Sequence, residues 1–203
     1  YWKNTSNKYA VVINPFGERY VEEDNRSMTT YNRIKDFISE GGIFVCTGGF
    51  PFYYRWDSVA GRGIDTTPRT IKVVGNKIAE ASWFNESLVA KDFGVVFRNI
   101  PDEPTPTSVH QNKEDVELFG DIRSEGGNNV LEFRSPWDDS VGIIPGLRTI
   151  HDGREAYPLA AVSYGEGYLI ISGMYVKTDS EFRKIVRAVE NLVVTLGERH
   201  MHH

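Results

Sequence analysis

Cys46, the one cysteine among 203 residues, closes the apolar run "GGIFVC" and is followed at once by "TGGFPFYYRWD". Two kinds of chemistry suit a cysteine in such a place. On a tight turn, beside a base or a positive potential that lowers its pKa, it is a thiolate nucleophile. At the end of a buried strand it is a small hydrophobe. No base adjoins Cys46 in sequence, so His110 or His151 would have to reach it through the fold. The balance of these features reads Cys46 as a strand residue and leaves the catalytic set empty. A cysteine-dependent hydrolase using Cys46 stays open as the alternative.

Binding chemistry has more to work with. Thr47, Gly48 and Gly49 offer backbone N–H groups in a turn, and glycines let a ligand approach the main chain closely. Five aromatics fall within residues 50–56. Tyr53, Tyr54 and Trp56 carry a polar handle on an apolar body, as suits sugar stacking or a protein interface. Glu18 and Arg19 follow "NPFG" in the loop after the first strand. In an open α/β sheet, loops leaving the carboxyl ends of neighbouring parallel strands converge. Glu18, Arg19, Thr47, Gly48, Gly49, Tyr53, Tyr54 and Trp56 therefore form the candidate binding edge, with Ser172 and Gly173 beside it if their strand runs parallel. The same glycines could serve turn geometry alone, and part of the aromatic run could pack beneath its own loop.

Other chemistry is sparse. Glu22-Glu23-Asp24 and Asp138-Asp139 read as solvated loop carboxylates, since nothing fixes the separation that paired acid–base work requires. Gly61-Arg62-Gly63 lacks the strand-then-helix setting of a dinucleotide site. With the tail "RHMHH" set aside, His110 and His151 are the remaining histidines, too few for a histidine-rich metal site. No metal and no cofactor is expected. Net charge is −5 with scattered basic residues, which argues against a nucleic-acid partner. No apolar run approaches the roughly 20 residues of a membrane-spanning helix, so no membrane insertion is expected. A single cysteine excludes an internal disulfide and fits a reducing, cytoplasmic compartment.

These residues must be positioned by strands and helices that the pattern outlines. "YAVVIN" (9–14) does not alternate and reads as a buried strand, followed by the polar loop "GERYVEEDNRS". "TTYNRIKDFISEGG" places Tyr31, Ile34, Phe37 and Ile38 on one helical stripe, with Thr29 or Thr30 as cap and Gly41 as stop. "GIFVC" is the next strand, completing a βαβ unit. "RTIKVV" and "FGVVF" read as strands with "ESLVAKD" a short helix between them. "IPDEPTPTSVHQNKED" reads as a Pro-rich loop, and "VLEF" and "GIIPGLRTI" as strand pieces with Pro145 at a bend or edge. "PLAAVSYGEGYLIISGM" reads as a hairpin turning at Gly165-Glu166-Gly167. The closing helix begins with a capping box, Thr178 to Glu181. It buries a stripe from Phe182 to Leu196 and stops at Gly197. The expected fold is α/β, one domain over 1–197 with 198–203 an appended tail. Its sheet is mostly parallel, flanked by helices, with an antiparallel hairpin near the C-terminus.

Two stretches, "ISEGGIFVCTGGFPFYY" and "AAVSYGEGYLIISGMY" with the helix after it, resemble the class I glutamine amidotransferase-like superfamily. The resemblance implies a flavodoxin-like sandwich. Catalytic members carry Gly-x-Cys-x-Gly and a later His-x-Glu. Here Phe44 stands at the first glycine position, Gly48 at the second, and no His-x-Glu occurs. What the resemblance implies is thus a non-catalytic member: a module of a larger protein that binds another domain, a protein partner or a small ligand such as a carbohydrate. A small-molecule sensor is a further alternative. A start at Tyr1 rather than Met is what an excised domain would show.

Overall fold

The computed structural model describes residues 10–17, 19–22, 28–48, 51–52, 54–57, 62–65, 71–74, 77–81, 88–98, 110–122, 132–134, 142–151, 154–173 and 179–201. In chain order the elements begin with β1 (Val11–Asn14), β2 (Arg19–Glu22), α1 (Thr29–Ser39), β3 (Ile43–Cys46), β4 (Tyr54–Asp57) and β5 (Arg62–Asp65). The hairpin partners β6 (Ile71–Val74) and β7 (Lys77–Ala81) follow, then α2 (Leu88–Phe93), β8 (Val96–Arg98), α3 (Lys113–Phe119) and β9 (Glu132–Arg134). Last come β10 (Ile143–His151), β11 (Arg154–Tyr164), β12 (Gly167–Ser172) and α4 (Asp179–Met201).

The central sheet has the order β1-β3-β12-β11-β10. β3 pairs in parallel with β1 and β12, while β11 pairs antiparallel with both β12 and β10. The fold is α/β, but the expected mostly parallel sheet is corrected to an evenly mixed one. The reason lies in Ile143–Tyr164, whose two long strands form an antiparallel ladder. Register shifts between Pro145 and Thr149 break the first of them into the short pieces visible in sequence. Pro145 sits on the edge strand, where its missing N–H removes no ladder bond.

All four side chains of β3 are buried because helices cover both faces of the sheet. Phe44 and Cys46 point into one cluster with Ala160, Val162, Leu169 and Ile171, capped by Tyr31, Ile34, Phe37 and Ile38 of α1 and Val89 and Phe93 of α2. Ile43 and Val45 point the other way, joining Leu159, Ala161 and Ile170 beneath Phe119 of α3 and Ile185, Ala188, Val189 and Leu192 of α4. The predicted helical stripes thus do the covering.

Several boundaries differ from expectation. Among the described residues β1 has one neighbour, β3, and Ile13 is exposed rather than buried. α4 continues through Gly197 to Met201, since one glycine costs a helix only about 1 kcal/mol. Its expected cap Thr178 and the side chain of Leu196 lie outside the described residues. The Pro-rich loop ends in a helix: Asn112 and Asp115 form a reciprocal capping box that starts α3. Two segments read as loops hold strands, because β2 and β4 pair with each other in a second, three-stranded sheet β2-β4-β5. Neither had a visible partner in sequence.

Candidate functional site

Three parallel strands end side by side, with Asn14 and Ile171 both in register with Cys46. The loops leaving β1 and β3 do converge. Asn14 shapes the first: its Oδ1 accepts from Phe16 N (3.1 Å), and its Nδ2 donates to the carbonyls of Arg19 (2.8 Å) and Gly17 (3.3 Å). Gly17 has φ 61°, and a Cβ there would lie 3.3 Å from the Gly48 carbonyl. Thr47 Oγ1 donates to the Asn14 carbonyl at 2.9 Å, tying the second loop to the first. Thr47, Gly48 and Ser172 are all buried. The inner rim of the edge is therefore a set of backbone clasps, and the hydroxyl of Thr47 is spent on one.

The accessible part lies outward, on the small sheet. Parallel pairing of β2 with β4 sets Arg19 opposite Tyr54 and Val21 opposite Trp56, while β5 sets Gly63 opposite Trp56. Arg19, Val21 and Trp56 are exposed, and so is Phe16 in the preceding turn. Sequence reasoning brought Arg19, Thr47, Gly48 and Trp56 to one end of the molecule, and the structure brings them there. Tyr54 takes part through its backbone pairing. Glu18, Gly49 and Tyr53 lie outside the described residues.

The inner face of the same sheet is core. Phe52, between β3 and β4, is 1% exposed and adopts φ 61°, a left-handed conformation that costs a non-glycine residue about 1 kcal/mol. Packing holds it there. Its ring lies 5.1 Å from Tyr31, 5.7 Å from Tyr20 and 5.8 Å from Phe44, centroid to centroid. Burial, then the charge of Glu22, push the Tyr20 phenol pKa up; burial, then the hydrogen bond to Asp92, do the same for Tyr31.

Glu22 overturns its reading as a solvated loop carboxylate. It is 1% exposed, and its two carboxylate oxygens accept from Thr30 N (2.9 Å) and Tyr31 N (3.0 Å). The expected caps Thr29 and Thr30 do not cap α1. Met28 is the N-cap residue and makes no side-chain capping bond, its sulfur instead accepting from the Tyr20 hydroxyl, so a carboxylate from the neighbouring strand satisfies two of the orphan donors. Glu23, Asp24, Asp138 and Asp139 lie outside the described residues.

Cys46 is 0% exposed, enclosed between the sheet and α1, and burial pushes its thiol pKa up. A nucleophile needs the opposite shift. His110 is bonded to Arg148 through both backbone groups, one ladder beyond β10. At about 4.8 Å per strand, four ladders separate it from β3, roughly 19 Å. His151 is on β10, three ladders or about 14 Å from β3. Among the described residues, no cluster of three or more His, Cys, Asp or Glu is arranged to hold a metal ion.

Two charged clusters escaped the sequence reading. Arg148 grips Asp115 with Nε (2.7 Å) and Nη2 (3.1 Å) and reaches Glu155 with Nη1 (3.0 Å), while the Tyr157 hydroxyl donates to Glu155 at 3.0 Å. This fastens α3 to the outer strands, and the bond to Asp115 raises the pKa of Arg148. Asp92 accepts from the Tyr31 hydroxyl (2.6 Å) and Lys35 Nζ (2.7 Å), joining α2 to α1. The "NKED" capping pattern was the available signal for the first; the second joins residues too far apart in sequence to be paired by eye.

No protein-family profile matches the sequence, and no curated protein matches it. Among solved structures, a β-galactosidase from Bacillus circulans sp. alkalophilus is similar, with a TM-score of 0.53 and 14% sequence identity. The match covers 97% of this chain and 24% of that one, so the chain spans about a quarter of that protein's length. At that identity the likeness bears on the fold. Among the described residues, no helix is long and apolar enough to cross a membrane.

Proposed function

We propose that this chain is a non-catalytic, amidotransferase-like module of a larger protein that binds a partner domain or a small ligand. The binding edge is the one that carries Arg19, Thr47, Gly48 and Trp56, with Glu18, Gly49, Tyr53 and Tyr54 as further members. The observation that carries the reading is the complete burial of Cys46. A thiol that meets neither solvent nor a base cannot attack a substrate, and the histidines stand several strands away. Exposed Val21 and Trp56, paired across β2 and β4, supply apolar area, and exposed Arg19 on the same strand as Val21 supplies hydrogen-bond donors. The match to a quarter-length segment of a β-galactosidase supports a modular reading and makes an uncharged saccharide the ligand class to test first.

The test is equilibrium binding of neutral mono- and oligosaccharides to the wild-type chain and to Trp56→Ala. Saturable binding is expected, weakened at least fivefold by the substitution, since an anchoring aromatic contributes more than about 1 kcal/mol. Glutamine or ester hydrolysis that disappears in Cys46→Ser would overturn the reading.

A further inference from the structure

The outer face of the small sheet is open at its centre. Along β2 the residues alternate, with Tyr20 and Glu22 turned inward to the core and Arg19 and Val21 turned out. β4 is the middle strand, yet its Trp56, in register with Val21, is 36% exposed, and Val21 itself is 47% exposed. On its other flank Trp56 stands opposite Gly63, which adds no side chain beside the indole. A glycine inside a strand suits close approach by a ligand. Arg19 is held at its backbone: its N–H donates to the Phe16 carbonyl at 3.3 Å, and its carbonyl accepts from Asn14 Nδ2 at 2.8 Å. Its guanidinium makes no ion pair or hydrogen bond with any described residue. One strand across and two residues along, the Arg19 and Trp56 Cα atoms are about 8 Å apart.

The size of the face selects a small ligand. Three strands of four residues span about 14 Å by 13 Å, or roughly 190 Å². A standard protein interface takes about 800 Å² from each partner, some four times as much. Within that area an apolar floor adjoins an unpaired, planar cation, which calls for a ligand with an apolar ring face and a carboxylate. We propose that this face binds an acidic sugar, a hexuronate, with the apolar side of its ring on Trp56 and Val21 and its carboxylate on the Arg19 guanidinium. A guanidinium fork matches a carboxylate with two parallel hydrogen bonds, a geometry that a sugar hydroxyl cannot supply. The proposal rests on the saccharide reading of this edge and extends it from uncharged sugars, which use the stacking half alone, to acidic ones.

The experiment titrates wild type, Arg19→Gln, Arg19→Lys and Trp56→Ala with sodium glucuronate, its neutral methyl ester and glucose, followed by NMR chemical shifts. At low ionic strength the wild type should bind glucuronate at least about fivefold tighter than the ester or glucose, and added sodium chloride should narrow the gap. Arg19→Gln should close the gap, while Arg19→Lys, a point charge without the fork, should keep part of it. Trp56→Ala should weaken all three ligands; if it does not fold, the Arg19 variants decide. Equal wild-type affinity for glucuronate and glucose would overturn the proposal and leave the saccharide reading standing. A preference for glucuronate that survives Arg19→Gln, or undiminished binding by folded Trp56→Ala, would overturn it as well. Binding of none of the three ligands would overturn both the proposal and the saccharide reading.

Discussion

Replacing Phe52 by alanine removes a ring that three other aromatics enclose, at a position where the backbone itself resists any side chain. Truncating a fully buried phenylalanine costs about 3–5 kcal/mol through lost transfer energy and the cavity left behind. Phe52 is 1% exposed and contacts Tyr20, Tyr31 and Phe44, so the full range applies. For a chain of this length the melting temperature should fall by about 6–20 °C, at about 2–4 °C for each kcal/mol. Glycine at the same position sharpens the test. Its backbone accepts φ 61° without the penalty of about 1 kcal/mol that alanine still bears. Phe52→Gly should therefore be about 1 kcal/mol more stable than Phe52→Ala, the reverse of the order in a regular strand or helix. Urea unfolding followed by circular dichroism measures both. A loss under about 1.5 kcal/mol in Phe52→Ala would show that the ring is not core. A glycine variant less stable than the alanine one would refute the left-handed backbone.

Asp115→Asn should cost about 2–3 kcal/mol in the same assay, because it unpairs the buried side of the Arg148 fork and weakens the cap of α3. Glu155→Gln should cost under about 1 kcal/mol, since Glu155 is 43% exposed. Alkaline pH should destabilise the protein. Cys46, Tyr20 and Tyr31 are held neutral, with folded pKa values above their unfolded ones. The stability they contribute is full below the unfolded values and is lost progressively as pH rises from about 9–10 towards the folded ones. Stability measured from pH 8 to 11 should fall accordingly, and Tyr31→Phe should fall less steeply; an unchanged slope would show that Tyr31 ionises freely in the fold.

Much of the architecture could be read from periodicity. The stripe Tyr31, Ile34, Phe37 and Ile38 marks α1, and the non-alternating "IFVC" marks a strand covered on both faces. The meeting of the loops after β1 and β3 followed from the rule that loops of neighbouring parallel strands share an edge. What the sequence hid were pairings without a local pattern. β2 and β4 are four residues each and are held by each other, so neither stands out alone. β10 and β11 are long, but Pro145 and the irregular register broke their pattern. Glu22 looked like one carboxylate of a solvated run because its partners, the first N–H groups of α1, are backbone atoms that no side-chain pattern reveals.

The claim that this chain works without a catalytic cysteine is tested most directly by alkylating Cys46 with iodoacetamide under native conditions from pH 6 to 9, with labelling followed by intact mass. A thiol wholly enclosed between sheet and helix, with its pKa pushed up, should stay unlabelled at every pH while the protein is folded and react fully once denatured. Labelling of the folded chain below pH 7, faster than that of an unstructured cysteine peptide, would contradict the account.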